Sequence, residues 1–383
     1  MAKAATLQQA LCQFLDPTEL DLQRQRVCAR LMACRTPAMG GRQLHCDGCE
    51  HEQVQYFSCR DRHCPQCQGR AIRQWSDRQR EHLLPVRYFH VVFTLPHALN
   101  GWVQLHPEVI HRLLFQAAWG TLRAFAEDPR RLGGTAGMSA VLHTWGQTLG
   151  QHVHLHCLVP GGALTGDGRW HAVRGNYLFP VRALSRRFRG RMVSGLRAAV
   201  HSGLLHRVVR EGEVDTMLHA LMKVEWVVYT RNCLDHTETV IAYLARYTRR
   251  IAITNARILS IDTERVTLRY TDYRTGKSNR TVTLDGAEFV RRFLLHVLPK
   301  GLMRVRHYGF LANRCRRRRL AEIREALAAA ASAECGSCIP PEQPGSPNLC
   351  PECRQGTMQL IALVPREPRF DHPLSRTECR YRW

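Results

Sequence analysis

Four Cys-x-x-Cys pairs constrain this chain more than any other feature. They are Cys46–Cys49, Cys64–Cys67, Cys335–Cys338 and Cys350–Cys353, among 16 cysteines in 383 residues. Each pair is a tight turn that presents two thiolates to one ion, and two such turns complete a tetrahedral site. Fourteen residues separate the first two pairs and 11 the last two. Sequence proximity therefore groups Cys46, Cys49, Cys64 and Cys67 around one Zn2+, and Cys335, Cys338, Cys350 and Cys353 around a second. With every ligand drawn from protein, no position stays open, so both sites are structural and not catalytic. Segments this poor in apolar residues fold by taking their free energy from the metal. Cys59 and His63 lie between the first pairs; replacing a ligand or holding a second ion is open to them, but a structural or phosphate-facing role is the simpler reading.

Thiolates of this kind suit a reducing compartment. The N-terminal stretch MAKAATLQQALCQFLDPTEL lacks the pattern of a signal peptide. No run approaches the ~18 apolar residues of a membrane span. A cytoplasmic protein with no membrane partner is expected, nucleoid-associated when bound to DNA. Fifty-five basic residues, most of them arginine, face 32 acidic ones, a formal charge of +23. Arginine's planar fork suits phosphate, and such a field attracts nucleic acid. Charge names the partner class and not the chemistry.

Along the chain, residues 7–35 read as helical, a cysteine block follows at 45–67, and 69–83 is a basic helical stretch. Arg87–Leu95 is β-branched and aromatic, a buried strand stopped by Pro96. A helix at 106–127 precedes strands at Met138–Trp145 and His152–Pro160. Residues 181–204 are helical, Val224–Tyr229 is a strand and 236–249 a helix. A hairpin, 264–270 with 280–284, leads to a helix at 286–297, the arginine run at 314–319 and an alanine-rich helix at 321–333. This is an α+β pattern. The expected division is a zinc-binding domain at 1–83, a catalytic domain at 84–300, and an arginine-rich segment with a C-terminal zinc module at 301–383.

Two motifs carry chemistry. In Gln151-His-Val-His-Leu-His-Cys157, strand alternation puts His152, His154 and His156 on one face, with Val153, Leu155 and Cys157 on the other. Neutral imidazoles so clustered can hold one divalent ion. The second motif is the stretch beginning Asp235-His-Thr-Glu238, which reads as a capping box opening a helix. On it Tyr243 and Tyr247 are neighbours at i and i+4, with Arg250 on the same face and Arg246 at its edge. A deprotonated tyrosine can attack phosphorus and keep the bond energy in a phosphotyrosine, so resealing needs no ATP. Consistently, the chain has no GxxxxGK[ST] loop.

At this level the chain closely resembles the insertion-sequence-ninety-one family of rolling-circle transposases. The resemblance rests on RHCPQCQG (62–69), FTLPH (93–97), VLHTWGQ (141–147), HVHLHCLVPGG (152–162), WVVY (226–229), YLARYTRR (243–250), RRFLLHVLPKG (291–301) and RHYGFLANR (306–314). It implies an N-terminal zinc-binding domain and an HUH-endonuclease domain with a central antiparallel sheet. It also implies His154 and His156 as ligands of a catalytic ion, Mg2+ or Mn2+, and Tyr243 and Tyr247 as nucleophiles. The third ligand is left open between His152, which shares the face, and the weaker candidates Gln147 and Glu238. Arg246, Arg250 and the run Arg316, Arg317, Arg318 and Arg319 are expected to contact DNA.

The implied activity is nicking and transfer of single-stranded DNA at element ends and target, with host replication and unwinding machinery as partners. A plasmid replication initiator or relaxase of the same HUH class, or a non-catalytic zinc-dependent DNA-binding protein, are the alternatives.

Overall fold

Alternation along one strand decides the architecture, and a computed structural model shows how. The structure describes residues 5–18, 20–67, 81–208, 212–234, 251–272, 275–330 and 349–367. In chain order its strands are β1 Gly41–Cys46, β2 Glu52–Tyr56, β3 Tyr88–Thr94, β4 Gly137–Trp145, β5 Gln151–Pro160, β6 Gly162–Leu164 and β7 Trp170–Ala172. Then follow β8 Val228–Leu234, β9 Ile258–Ile261, β10 Arg265–Asp272, β11 Lys277–Asp285, β12 Val305–Gly309 and β13 Met358–Val364. With the helices, this is the expected α+β class.

The chain divides into two compact units, neither continuous in sequence. One holds residues 1–70, 253–297 and 333–383, the other 71–252 and 298–332. This differs from the linear division at residues 83 and 300. The 253–297 segment belongs with the cysteine-rich N-terminus, because Gly286 in the helix Gly286–Leu294 packs against the Phe14 ring. Conversely, β12 and the helix Arg316–Ala330 join the other unit, because β12 pairs with β4 and completes its sheet.

That sheet has five antiparallel strands in the order β12-β4-β5-β3-β8. Val153, Leu155 and Cys157 of β5, Phe89, Val91 and Phe93 of β3, and Met138, Ala140 and Leu142 of β4 are fully buried. They form one core with the helices Pro107–Ala126 and Val181–His201. Phe188 anchors it, its ring 4.9 Å from Phe93 and 5.4 Å from Trp226. Burying an aromatic side chain of this kind removes roughly 150–250 Å² from water. Gly309 ends β12 with φ +61, where a side chain would run into the Ala136 carbonyl. Among the described residues, no helix is long and apolar enough to cross a membrane.

Local expectations hold with shifts. The strand expected at Val224–Tyr229 begins at Val228, because β3 dictates the pairing from Phe93–Val228 to Tyr88–Leu234. Trp226 instead turns into the core, its Nε1–H donating to the Leu221 carbonyl at 3.0 Å. The arginine run starts the helix Arg316–Ala330, where Arg318 and Arg319 pair with Glu322 at 3.4 and 2.8 Å. The expected helices at 69–83 and 236–249 lie largely or wholly outside the described residues.

His111, on the helix Pro107–Ala126, is buried with neither ring nitrogen hydrogen-bonded. Burial, with a smaller contribution from Arg306, holds its pKa down at about 4. The unfolded chain takes up this proton below about pH 6.5, while the folded chain refuses it until near pH 4. Stability is therefore full above the unfolded pKa and is lost as pH falls toward 4. His111→Leu should flatten the pH dependence of the urea midpoint across this window by one proton's worth of slope. An unchanged slope would show that His111 is solvated or paired in solution.

Candidate metal centres

The face of the five-stranded sheet opposite the core is lined with histidines. Paired residues in an antiparallel ladder project from the same side, so the register builds this face row by row. His143 of β4 stands opposite His154 of β5, which stands opposite Thr94 of β3. The next row is Val305, Val141, His156, Val92 and Tyr229. The third is His307, Ser139, Leu158, His90 and Arg231.

Ligand atoms of His143, His154 and His156 all lie within 4.8 Å of one another. The Nε2 atoms of His154 and His156 are 3.1 Å apart. Two imidazole nitrogens about 2.0–2.1 Å from one ion stand about 2.9–3.4 Å apart, so the pair fits a shared cation. The rings are held in this pose from outside. His154 Nδ1–H donates to the His152 carbonyl at 2.9 Å, which leaves the Nε2 lone pair for a ligand. His156 Nδ1 shares a hydrogen bond of 2.9 Å with His90 Nε2. Partners on the far nitrogen fix tautomer and orientation in metal-binding histidines. Trp145 stacks on the buried His143 at 4.7 Å. Burial, and then the charge of Arg231, holds the His90 pKa down at about 4, so His90 joins this network as a neutral ring.

The third member of the cluster is thus His143, not His152. The His152 ring lies 5.4 Å from that of His97 and contributes its main-chain oxygen instead. Gln147 follows β4, in the turn before β5. Tyr243, Tyr247, Glu238, Arg246 and Arg250 lie outside the described residues. In the arginine run, Arg317 and Arg318 are exposed, while Arg316 is partly buried with Nε unpartnered.

Among the described residues there are two four-cysteine clusters, both in the unit that holds the N-terminus, but their membership differs from the expected grouping. Cys64 and Cys67 join Cys34 and Cys59, whereas Cys46 and Cys49 join Cys350 and Cys353. Cys335 and Cys338 lie outside the described residues. The reason is geometric: β1 and β2 form a hairpin with Cys46 and Cys49 at its turn, while Cys34 and Cys59 flank its open end. In the first cluster, Cys34–Cys67, Cys59–Cys67 and Cys34–Cys64 sulfurs are each 3.6 Å apart. A Zn–S bond of about 2.3 Å gives a tetrahedral edge of about 3.8 Å, so the cluster fits zinc. Contacts from Cys34, Cys59 and Cys67 push the Cys64 thiol up, since neighbouring thiolates cannot all ionise without a cation between them. His63 turns away to Asp61, at 2.8 Å. In the second cluster, the amides of Gly356 and Gln355 hold the Cys353 thiol down at about 6.

Comparisons with known proteins fit this geometry. Residues 137–319 match the family described as "Putative transposase", and residues 6–95 the "Transposase zinc-binding domain". The chain is 42% identical over 361 residues to "Putative transposase y4qJ" of Sinorhizobium fredii, covering 90% of this chain and 91% of that protein. It is 29% identical over 307 residues to the transposase for insertion sequence element IS801 of Pseudomonas savastanoi pv. phaseolicola, covering 78% and 72%. No solved structure matches. The transposase match contains the histidine cluster, and the zinc-binding match contains the whole first cysteine cluster.

Removing the outer hydrogen bond at His156 should loosen the histidine cluster without deleting a ligand. His90→Ala is expected to weaken Mn2+ binding roughly 10–100-fold, read by titration against a competing chelator, and His90→Gln should recover part of the loss. Unchanged affinity in both variants would mean that His90 does not orient His156.

Proposed function

This chain belongs to the IS91 family of transposases, and from that premise we propose that it nicks and transfers single-stranded DNA through a 5′-phosphotyrosine intermediate in rolling-circle transposition. The observation that carries the reading is the histidine face: His143, His154 and His156 converge on one point, with the outer nitrogens of His154 and His156 already engaged. A divalent ion held there, Mg2+ or Mn2+, supplies Lewis-acid polarisation of the scissile phosphate.

The protein's own residues supply the rest. His143, His154 and His156 fix where that phosphate sits, and the apolar backs of β3, β4 and β5 keep the platform rigid. Tyr243 or Tyr247 loses its hydroxyl proton, its oxygen bonds to phosphorus, and the bond from phosphorus to the 3′ oxygen breaks. That oxygen takes up a proton and leaves as a 3′-OH able to prime replication. Two tyrosines four positions apart allow a second cleavage while the first strand is still attached. Arg246, Arg250 and the exposed members of the Arg316–Arg319 run hold the backbone, and the net charge of +23 draws DNA in. With no nucleotide-binding loop of its own, the protein relies on host unwinding and replication.

Tyr243→Phe with Tyr247→Phe should leave no covalent protein–DNA adduct on single-stranded oligonucleotides carrying element ends, while DNA binding persists. In the parent protein the adduct carries the fragment 3′ of the nick. His154→Ala with His156→Ala should abolish cleavage and spare binding. An adduct that survives both tyrosine changes, or one on the opposite fragment, puts the chemistry elsewhere.

A further inference from the structure

The second cysteine cluster joins parts of the chain that the family zinc-binding match, which stops at residue 95, does not bring together. Cys46 and Cys353 stand 307 positions apart in sequence, yet their sulfurs are 3.7 Å apart, and those of Cys49 and Cys350 3.6 Å. Disulfide sulfurs would be about 2.05 Å apart, whereas tetrahedral zinc–thiolate edges are about 3.8 Å. Each pair has a glycine amide on one of its sulfurs. Gly48 N–H donates to Cys46 Sγ and Gly356 N–H to Cys353 Sγ, each at 3.3 Å. A side chain on Gly356 would meet Cys46 Sγ at 2.5 Å, so the fit leaves room for hydrogen only.

Among the described residues, the rest of the joint is a strand pairing with few buried side chains. β13 adds to β1 as a third strand, from Gly41–Val364 to Cys46–Met358. Its Leu360, Ile361 and Leu363 are nevertheless 58%, 51% and 71% exposed. Among the described residues, the buried ones at the joint are Cys46, Cys350 and Met358, with Leu44 and Cys353 packed against them. Asp47 stitches the strands, accepting from Thr357 N–H at 2.7 Å and from Gln359 Nε2 at 3.2 Å. Surface hydrogen bonds of that kind are each worth about 1 kcal/mol, too little to fix a strand that buries almost no apolar area.

We propose that Cys46, Cys49, Cys350 and Cys353 bind one Zn2+, and that this ion clasps the 349–364 segment onto the N-terminal hairpin. Each thiol that ligates gives its proton to solvent. The hairpin is then pinned by metal at both ends, by the Cys34 cluster at its open end and by the clasp at its turn.

Elemental analysis of the full chain should find about two zincs, falling to about one in Cys350→Ser/Cys353→Ser and in Cys46→Ser/Cys49→Ser. Cys335→Ser/Cys338→Ser should keep both. A measurement without variants covers the case in which these proteins fail to fold. After chelation and brief diamide oxidation of the native chain, peptide mapping should show Cys46–Cys353 or Cys49–Cys350 disulfides. Loss of a zinc only when Cys335 and Cys338 are replaced, or disulfides confined to residues 335–353, would overturn the clasp.

Discussion

The pairing of β5 between β4 and β3 is the constraint on which the rest of the five-stranded unit depends. Because side chains alternate strictly along a strand, the buried set Val153, Leu155 and Cys157 forces His152, His154 and His156 to the other side. A slip of one residue would bury imidazoles in an apolar core and expose the core residues to water. The hydrophobic effect thus aims the histidines, and no specific interaction at the face has to compete with it. Flanking strands then add His143 and His90 at fixed spacing, set by the same register.

How much of this was legible in the sequence follows from which parts are local. The histidine alternation on β5 depends only on a period of two residues, so it could be read directly. His143 could not be placed, because its position opposite His154 is set by the turn at 146–150 and by a register shift between His143 and Trp145. His90 lay inside a correctly expected buried strand, yet its contact with His156 spans 66 positions. The Cys-x-x-Cys knuckles were legible for the same local reason as β5. Their assembly was not: nearest-in-sequence grouping fails when β13 returns from the far end of the chain to pair with β1. Cys34, a lone cysteine at the end of a helix, carried no pattern that would mark it as part of a cluster. The discontinuity of the two units has the same origin, since β12 and the helix Gly286–Leu294 find their partners far away in sequence.

The two kinds of metal cluster divide the work by ligand chemistry. Four thiols with sulfurs 3.6 Å apart and no open position suit an ion that holds structure together. Three imidazoles suit one that keeps room for a phosphate oxygen. Placing thiolate ligands in the small, apolar-poor sheet and imidazole ligands on the platform with the large core gives each site the support that it lacks on its own.

The central claim is that one ion, carried by the histidine face, also contacts the DNA backbone. Pulsed electron paramagnetic resonance on Mn2+-loaded protein with bound single-stranded DNA measures both contacts at once. The account predicts nitrogen-14 couplings from imidazole and a phosphorus-31 coupling on the same manganese, with the nitrogen couplings reduced in His143→Ala. Manganese that shows the phosphorus coupling without imidazole nitrogen, an ion carried by the DNA alone, would contradict it.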